Sequence, residues 1–170
     1  DEAHAIPILP VPGGVPLVEN FRHPRYGKPS RVWAYRDREG RLLGYQARFD
    51  FTGKEGQPDK VVLPILWTSK EGKKPWWRCV GFPNPLPLYN ADLLANRPDA
   101  LVLVCEGCKA ADAAGELFPR AVTTTWPGGA GSVLRADWSA LEGRNVVLWP
   151  DADPEGLEAM ARLGEALWAP

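Results

Sequence analysis

Two short apolar runs that end in carboxylates constrain this chain more than any other feature. Leu101-Val-Leu-Val-Cys-Glu106-Gly-Cys-Lys109 and, about forty residues later, Asn145-Val-Val-Leu-Trp-Pro-Asp151-Ala-Asp153 are each rich in β-branched residues and stop abruptly in acid. A short, wholly apolar run followed by a helical pattern is the signature of a buried parallel strand feeding a crossover helix. In an open α/β sheet the carboxyl ends of neighbouring strands face one crevice. Glu106, Asp151 and Asp153 are therefore expected to converge although they lie far apart in sequence. Three carboxylates with no His or Cys cage suit a hard cation such as Mg²⁺, which takes a few carboxylates and completes its shell with water and phosphate.

The rest of the second half fits that frame. Residues 101–105 read as a strand, 109–117 as an Ala-rich helix, 121–125 as a strand, 133–141 as a short helix, 146–149 as a strand and 155–168 as a helix. The Gly-rich loop Trp126-Pro-Gly128-Gly129-Ala-Gly131 lies between. Such alternation predicts a parallel sheet with right-handed crossovers and flanking helices. The first half reads differently. Residues 31–36 and 41–49 form a hairpin about the turn at 37–40, residues 60–67 make the next strand, and a turn at 69–75 leads into a strand over 76–80. This is a small, mostly antiparallel β subdomain. Residues 1–20, with Pro7, Pro10, Pro12, Gly13, Gly14 and Pro16, read as an extended linker. The division expected is an extended N-terminal segment over 1–30, a β-rich subdomain over 31–98, and an α/β domain over 99–170.

Charge separates the same halves. Residues 21–88 hold fourteen Lys/Arg against six Asp/Glu, a net of +8, whereas residues 89–170 hold six against twelve, a net of −6. A basic half beside an acidic one suggests a polyanion-binding surface next to a metal-binding one. Arg and Lys are threaded among Trp and Tyr in the basic half, an interleaving that suits single-stranded nucleic acid: cations meet phosphates and flat rings stack on bases. The same tryptophans, Trp33, Trp67 and Trp76, can equally fill a thin core. No apolar run reaches the ~18 residues of a membrane span and no signal sequence opens the chain, so the expectation is a soluble, cytoplasmic protein with no membrane partner.

Several features have structural readings as well. Cys105 and Cys108 form a CxxC, but the third cysteine, Cys79, completes no second pair, and a buried strand thiol beside a loop thiol accounts for them. Asp153 precedes Pro154, so it can cap the last helix, a role that leaves its other oxygen for a metal.

The joint arrangement of an acidic strand end, a crossover, a Gly-rich loop and a second acidic strand end resembles the Toprim domain. That metal-binding fold is shared by DnaG-type primases, type IA and type II topoisomerases and OLD-family nucleases. Val104-Cys-Glu106-Gly-Cys-Lys109-Ala-Ala-Asp112 is similar to the family's glutamate motif, and Trp149-Pro-Asp151-Ala-Asp153-Pro-Glu-Gly156 to its Asp-x-Asp motif. Upstream, residues 36–48 and Pro83-Asn-Pro-Leu-Pro-Leu-Tyr89 resemble the basic subdomain of DnaG-type primases and the segment leading into Toprim. The run 31–167 is similar to primase-like proteins of phages, plasmids and integrated elements, which often continue into a helicase. Cys108 departs from them where a second Glu is usual, while Lys109 matches their lysine.

The resemblance implies a DNA primase catalytic core that makes short primers on single-stranded DNA by nucleotidyl transfer. Glu106, Asp151 and Asp153 would hold Mg²⁺ or Mn²⁺. Arg48, Lys60, Arg78 and Lys109 would guide template or nucleoside triphosphate, and Trp126, Gly128 and Gly129 would line the crevice. A replicative helicase, as domain or partner, is a further implied associate. Two alternatives stay open. A Toprim nuclease would be expected to add acids or a His near the crevice, whereas His4 and His23 both lie near the N-terminus; a non-catalytic single-strand-binding module of a larger replication protein would need no metal.

Overall fold

The computed structural model describes residues 5–168, which divide into two compact units. One comprises the chain up to Ala34 together with Arg41–Pro83; the other comprises Tyr35–Gly40 and the chain from Asn84 onward. The expected turn at 37–40 thus groups with the second unit.

The first unit is built on a five-stranded sheet of β1 (Ile6–Pro7), β2 (Arg31–Arg36), β3 (Leu42–Thr52), β4 (Pro58–Lys70) and β5 (Lys73–Arg78), ordered β1-β4-β3-β2 with β5 also on β4. β4 is long enough to change neighbours. Its first half pairs antiparallel with β3, from Thr52↔Pro58 to Tyr45↔Ile65; its second half pairs antiparallel with β1 and β5. Ala47, Phe49, Ile65, Trp67 and Trp77 form the core. Two tryptophans set against each other in sequence part company: Trp77 is 2% exposed and Trp76 43%. β5 begins earlier than the pattern at 76–80 suggested because the turn is short. Only Glu71 and Gly72 separate Lys70 from its partner Lys73. Pro75 is tolerated in this strand because β5 pairs on one side only.

The N-terminal segment is extended, but it is not the free linker that its prolines suggested. Ile6 and Pro7 pair with Ser69 and Thr68, the amides of Ile8 and Val11 donate to Trp67 O and Leu42 O, and Trp77 Nε1 donates to Pro16 O at 2.7 Å. Ile8, Val11 and Val15 pack on the core that Val18 and Phe21 enter outright. Proline fixes this segment in a shape that apolar residues between the prolines can glue down. His4 and the rest of residues 1–4 lie outside the described residues.

The second unit is centred on a three-stranded parallel sheet in the order β7-β6-β8, with β6 (Val102–Cys105) between β7 (Val122–Thr124) and β8 (Val146–Trp149). All four residues of β6 are buried, as a strand covered on both faces requires. Helix α1 (Ala91–Asn96) precedes β6, α2 (Cys108–Leu117) follows it, and α3 (Pro154–Trp168) follows β8. The mixed α/β class, a parallel sheet with flanking helices together with an antiparallel sheet, is the one expected. One helix is not: residues 133–141 fold as two 3₁₀ turns, Ala130–Arg135 and Trp138–Leu141. Asp137 breaks them apart, accepting from the backbone amide and hydroxyl of Ser139 at 3.1 and 2.6 Å and so capping a new turn. No helix among the described residues is long and apolar enough to cross a membrane.

Candidate active site

The last register pair of the parallel sheet is Cys105↔Trp149. Glu106 therefore leaves β6 one residue past the sheet, and Asp151 leaves β8 two residues past it, at the same edge. Gly107 turns the chain into α2 with φ +81°, a conformation that a β-carbon would strain. Its amide donates to Thr125 Oγ1 at 2.9 Å, so the residue just beyond β7 braces the turn that presents Glu106.

The acids are not equivalent. Asp153 is the N-cap of α3: its Oδ1 accepts from the Gly156 amide at 2.8 Å, with Pro154 in the first helical position. Its second oxygen is free of that duty. Glu106 Oε1 is buried and, among the described residues, has no hydrogen-bond partner. It lies over Gly156, where a β-carbon would come within 2.5 Å of it, 2.9 Å of the Asp151 carbonyl oxygen and 3.0 Å of the Asp151 amide nitrogen. Glycine is thus what lets Glu106 and the Asp151 backbone close in on the start of α3. Burial, and then the negative charge of Asp151, raise the Glu106 carboxyl above its ordinary range. The Asp151 backbone amide offsets part of this, and Asp153 and Glu155 add to the rise. A buried acceptor without a donor, ringed by like charge, is electrostatically incomplete.

An orphaned carboxylate oxygen beside two further carboxylates is a donor set that fits a hard divalent cation. Glu106, Asp151 and Asp153 could supply it. Among the described residues, however, no group of three His, Cys, Asp or Glu stands already at mutual metal-binding geometry. The acids share one edge without forming a closed cage.

The other expected site residues fall into three kinds. Lys109 is exposed in the first turn of α2, next to the Glu106 turn. Arg48 and Lys60 lie in the first unit and differ in how far they are committed. Arg48 directs Nε and Nη2 onto Asp50 Oδ1 at 2.8 and 2.6 Å, and that hydrogen bond chiefly holds the Asp50 carboxyl below its usual range; Lys60 sits opposite Asp50 in the β3–β4 register and is exposed. Arg78 turns one nitrogen onto its own sheet: Nη1 donates to Thr68 Oγ1 at 2.7 Å and Thr68 O at 3.1 Å.

The crevice lining is the plainest departure. Trp126 is 3% exposed, its Nε1 donates to Gly129 O at 2.8 Å and its ring meets Trp138 edge-on at 5.7 Å. Ser132 Oγ in turn donates to Gly128 O at 3.1 Å. Trp126 is a core residue that locks the loop, and Gly128 and Gly129 are the turn it locks. Cys108 is also interior, with its Sγ 3.4 Å from the hydroxyl of fully buried Tyr35. Burial and the Asp151 charge push the Cys105 thiol up to about 11, which keeps it protonated and inert. A cavity of about 470 Å³, lined by Leu101, Leu141, Arg144, Val147 and Trp168 among others, lies at the entry end of β8, away from the acids.

The site residues that sequence reasoning missed are Thr125 and, in its steric role, Gly156. Gly156 was visible as part of a motif. Nothing marked Thr125, because its partner lies eighteen residues away across the sheet.

No protein-family model matches the chain, and no curated protein does. Solved structures are similar. A chain in the structure of bacteriophage T7 lagging-strand DNA polymerase interacting with primase domains of two gp4 subunits bound to an RNA/DNA hybrid and dTTP aligns at TM-score 0.54 and 17% identity, over 81% of this chain and 60% of that one. The E. coli primase catalytic core aligns at 0.47 and 16% identity, over 79% and 38%, and a DnaG primase catalytic domain bound to single-stranded DNA at 0.48 and 17%, over 79% and 38%. The chain thus spans 60% of the T7 chain's length and less of the other two. The T7 alignment shows a shared fold.

Proposed function

We propose that this chain is the Toprim-type catalytic core of a DNA primase of the phage or plasmid kind, working on single-stranded DNA with nucleoside triphosphates and joined in life to a replicative helicase. Its β-rich subdomain would serve the template, and the α/β domain the chemistry. The observation that carries this reading is the unpartnered Glu106 Oε1 over Gly156, flanked by Asp151 and Asp153 at the end of the adjacent parallel strand.

Glu106, Asp151 and the uncommitted oxygen of Asp153 would hold Mg²⁺ or Mn²⁺. Such an ion, when bound, supplies positive charge that orients nucleotide phosphates and offsets charge developing on them. The chain's own residues do the rest. Gly156 keeps the floor of the site open, and Thr125 fixes the turn that presents Glu106. Lys109 is placed to meet a phosphate oxygen as a point charge. Lys60 and Arg48 would track the template backbone, Arg48 only by exchanging Asp50 for a phosphate.

Primer synthesis on single-stranded DNA with labelled nucleotides tests the reading. The comparison is with an Asp151→Asn, Asp153→Asn double variant, in which the amide side chain at position 153 can still cap α3, so a loss of product is not a loss of the helix. The expected result is metal-dependent oligonucleotides from the parent and a fall of at least about 10³-fold in the variant, the scale of several kcal/mol of charge stabilisation. Absence of product from both, with metal-independent single-strand binding retained, would establish the binding-module alternative instead.

A further inference from the structure

Trp76 has no role in the site described above, and its setting is unusual. It lies on β5, whose sequence is Lys73-Lys74-Pro-Trp76-Trp-Arg78, and among the described residues β5 pairs only with β4. Successive side chains of a strand point to opposite faces. Trp77 points inward, where it meets Tyr45 and Trp67 edge-on at 5.4 and 5.3 Å. Trp76 and Lys74 therefore share the outer face; Trp76 is 43% exposed, with its ring system 6.2 Å, centroid to centroid, from that of Trp67.

The strand beneath it is held firmly. Trp76 O accepts from Thr68 Oγ1 at 3.1 Å, and Arg78 Nη1 grips Thr68. Lys70 and Lys73 face each other at the hairpin's end, on either side of Glu71 and Gly72. Three lysines and one glutamate leave this hairpin basic. Trp149 and Trp168 are also exposed, but they stand in the acidic half of the chain.

Lysine and proline on an outer strand have an ordinary purpose, to stop the edge from pairing with another chain. That purpose explains Lys73, Lys74 and Pro75. It does not explain a large exposed indole on the same strand, which works against it. Stacking on a base explains both at once, because a rigid aromatic platform bordered by ammonium groups matches a flat base bordered by phosphates.

We infer that the outer face of the β4–β5 hairpin, Trp76 and Lys74 with Lys70 and Lys73 at its tip, is a contact surface for single-stranded nucleic acid, the indole stacking on a base and the lysines meeting phosphates. The inference rests on the polynucleotide substrate proposed above but not on catalysis or on a metal.

The test is binding of a labelled oligodeoxythymidylate to the whole chain, followed by fluorescence anisotropy over a range of salt concentrations. Trp76→Ala is expected to weaken binding on the order of tenfold with little change in salt dependence, and Trp76→Phe to retain most of the affinity. Lys73→Ala, Lys74→Ala is expected to flatten the slope of log K against log salt by about 1.4, roughly 0.7 for each phosphate no longer neutralised. Lys73 and Lys74 are exposed, so the melting curve of their variant should match the parent's, and Trp76→Phe keeps a ring beside Trp67 and controls for any packing lost in Trp76→Ala. If the parent binds and both variants bind with its affinity and slope, the hairpin is not the contact and the inference falls alone. A parent that binds no oligonucleotide even at low salt would instead overturn the polynucleotide reading, and the inference with it.

Discussion

The turn after β6 and the loop after β7 leave the same parallel sheet from neighbouring strands, and both are built on glycine, yet they use their polar groups in opposite ways. After β7 the loop closes on itself. The Trp126 indole donates to Gly129 O, the Ser132 amide and hydroxyl donate to Gly129 O and Gly128 O, and the Trp126 ring is sealed against Trp138. After β6 the turn ends in Glu106, whose Oε1 finds no donor and whose carboxyl is raised by burial and by Asp151. A loop with its valences satisfied is architecture; a strand end left incomplete at a cost to stability is where an incoming cation or phosphate has something to gain. The two are linked through Thr125, which stands at the start of the closed loop and braces the open turn.

The comparison is broken most severely by removing the seal. Trp126→Ala should cost about 3–5 kcal/mol of stability, the range for emptying a buried aromatic site, read as a shift in a denaturant melt. Mn²⁺ affinity of the folded fraction, followed by electron paramagnetic resonance, should stay near the parent's. A selective collapse of Mn²⁺ binding in a variant of undiminished stability would return Trp126 to the crevice. Gly156→Ala attacks the open side. Its methyl group would meet Glu106 Oε1 and the Asp151 backbone, so a loss of about 1–3 kcal/mol from overpacking is expected, with Mn²⁺ affinity falling in step. Unchanged affinity would mean that Glu106 is not held where cation binding needs it.

These contrasts also show what a sequence discloses and what it hides. β6, β8, α2 and α3 were legible to within a residue or two, because wholly apolar runs bounded by Gly, Pro and acid admit few other structures. The convergence of Glu106 with Asp151 at one sheet edge followed from parallel pairing, which the alternation of elements implied. The status of Trp126 was not legible. An indole beside glycines looks like a crevice wall until its N–H is seen to reach Gly129 O. The same limit applied to the N-terminal segment, whose valines between prolines carried a packing signal that the prolines masked. In the segment 133–141 the helical pattern lost to a local pair of hydrogen bonds, from the Ser139 amide and hydroxyl to Asp137. Residues that depend on a partner across the sheet, such as Thr125, left no local mark.

Thr125 sharpens the link between the two loops. Thr125→Val keeps the shape and removes the acceptor of the Gly107 amide, at an expected cost of about 1–2 kcal/mol. Thr125→Ser should restore both stability and Mn²⁺ affinity. If Val and Ser behave alike, the hydroxyl does not brace the turn.

The smallest effect is the most diagnostic, because its sign reverses. The folded-state carboxyl of Glu106 is raised, so the fold favours its protonated form. Its contribution to stability is complete below the unfolded-state pKa and is lost as pH rises through the folded one. Glu106→Gln cannot ionise and escapes that loss. Without divalent metal the variant should therefore melt higher than the parent at neutral pH, and the gap should close as pH falls below the ordinary carboxylate range. Adding Mn²⁺ should invert the order at neutral pH, since only the parent gains from binding a cation in the folded state. If the variant is the less stable one without metal, Glu106 is already satisfied by its neighbours and the contrast between the open turn and the closed loop disappears.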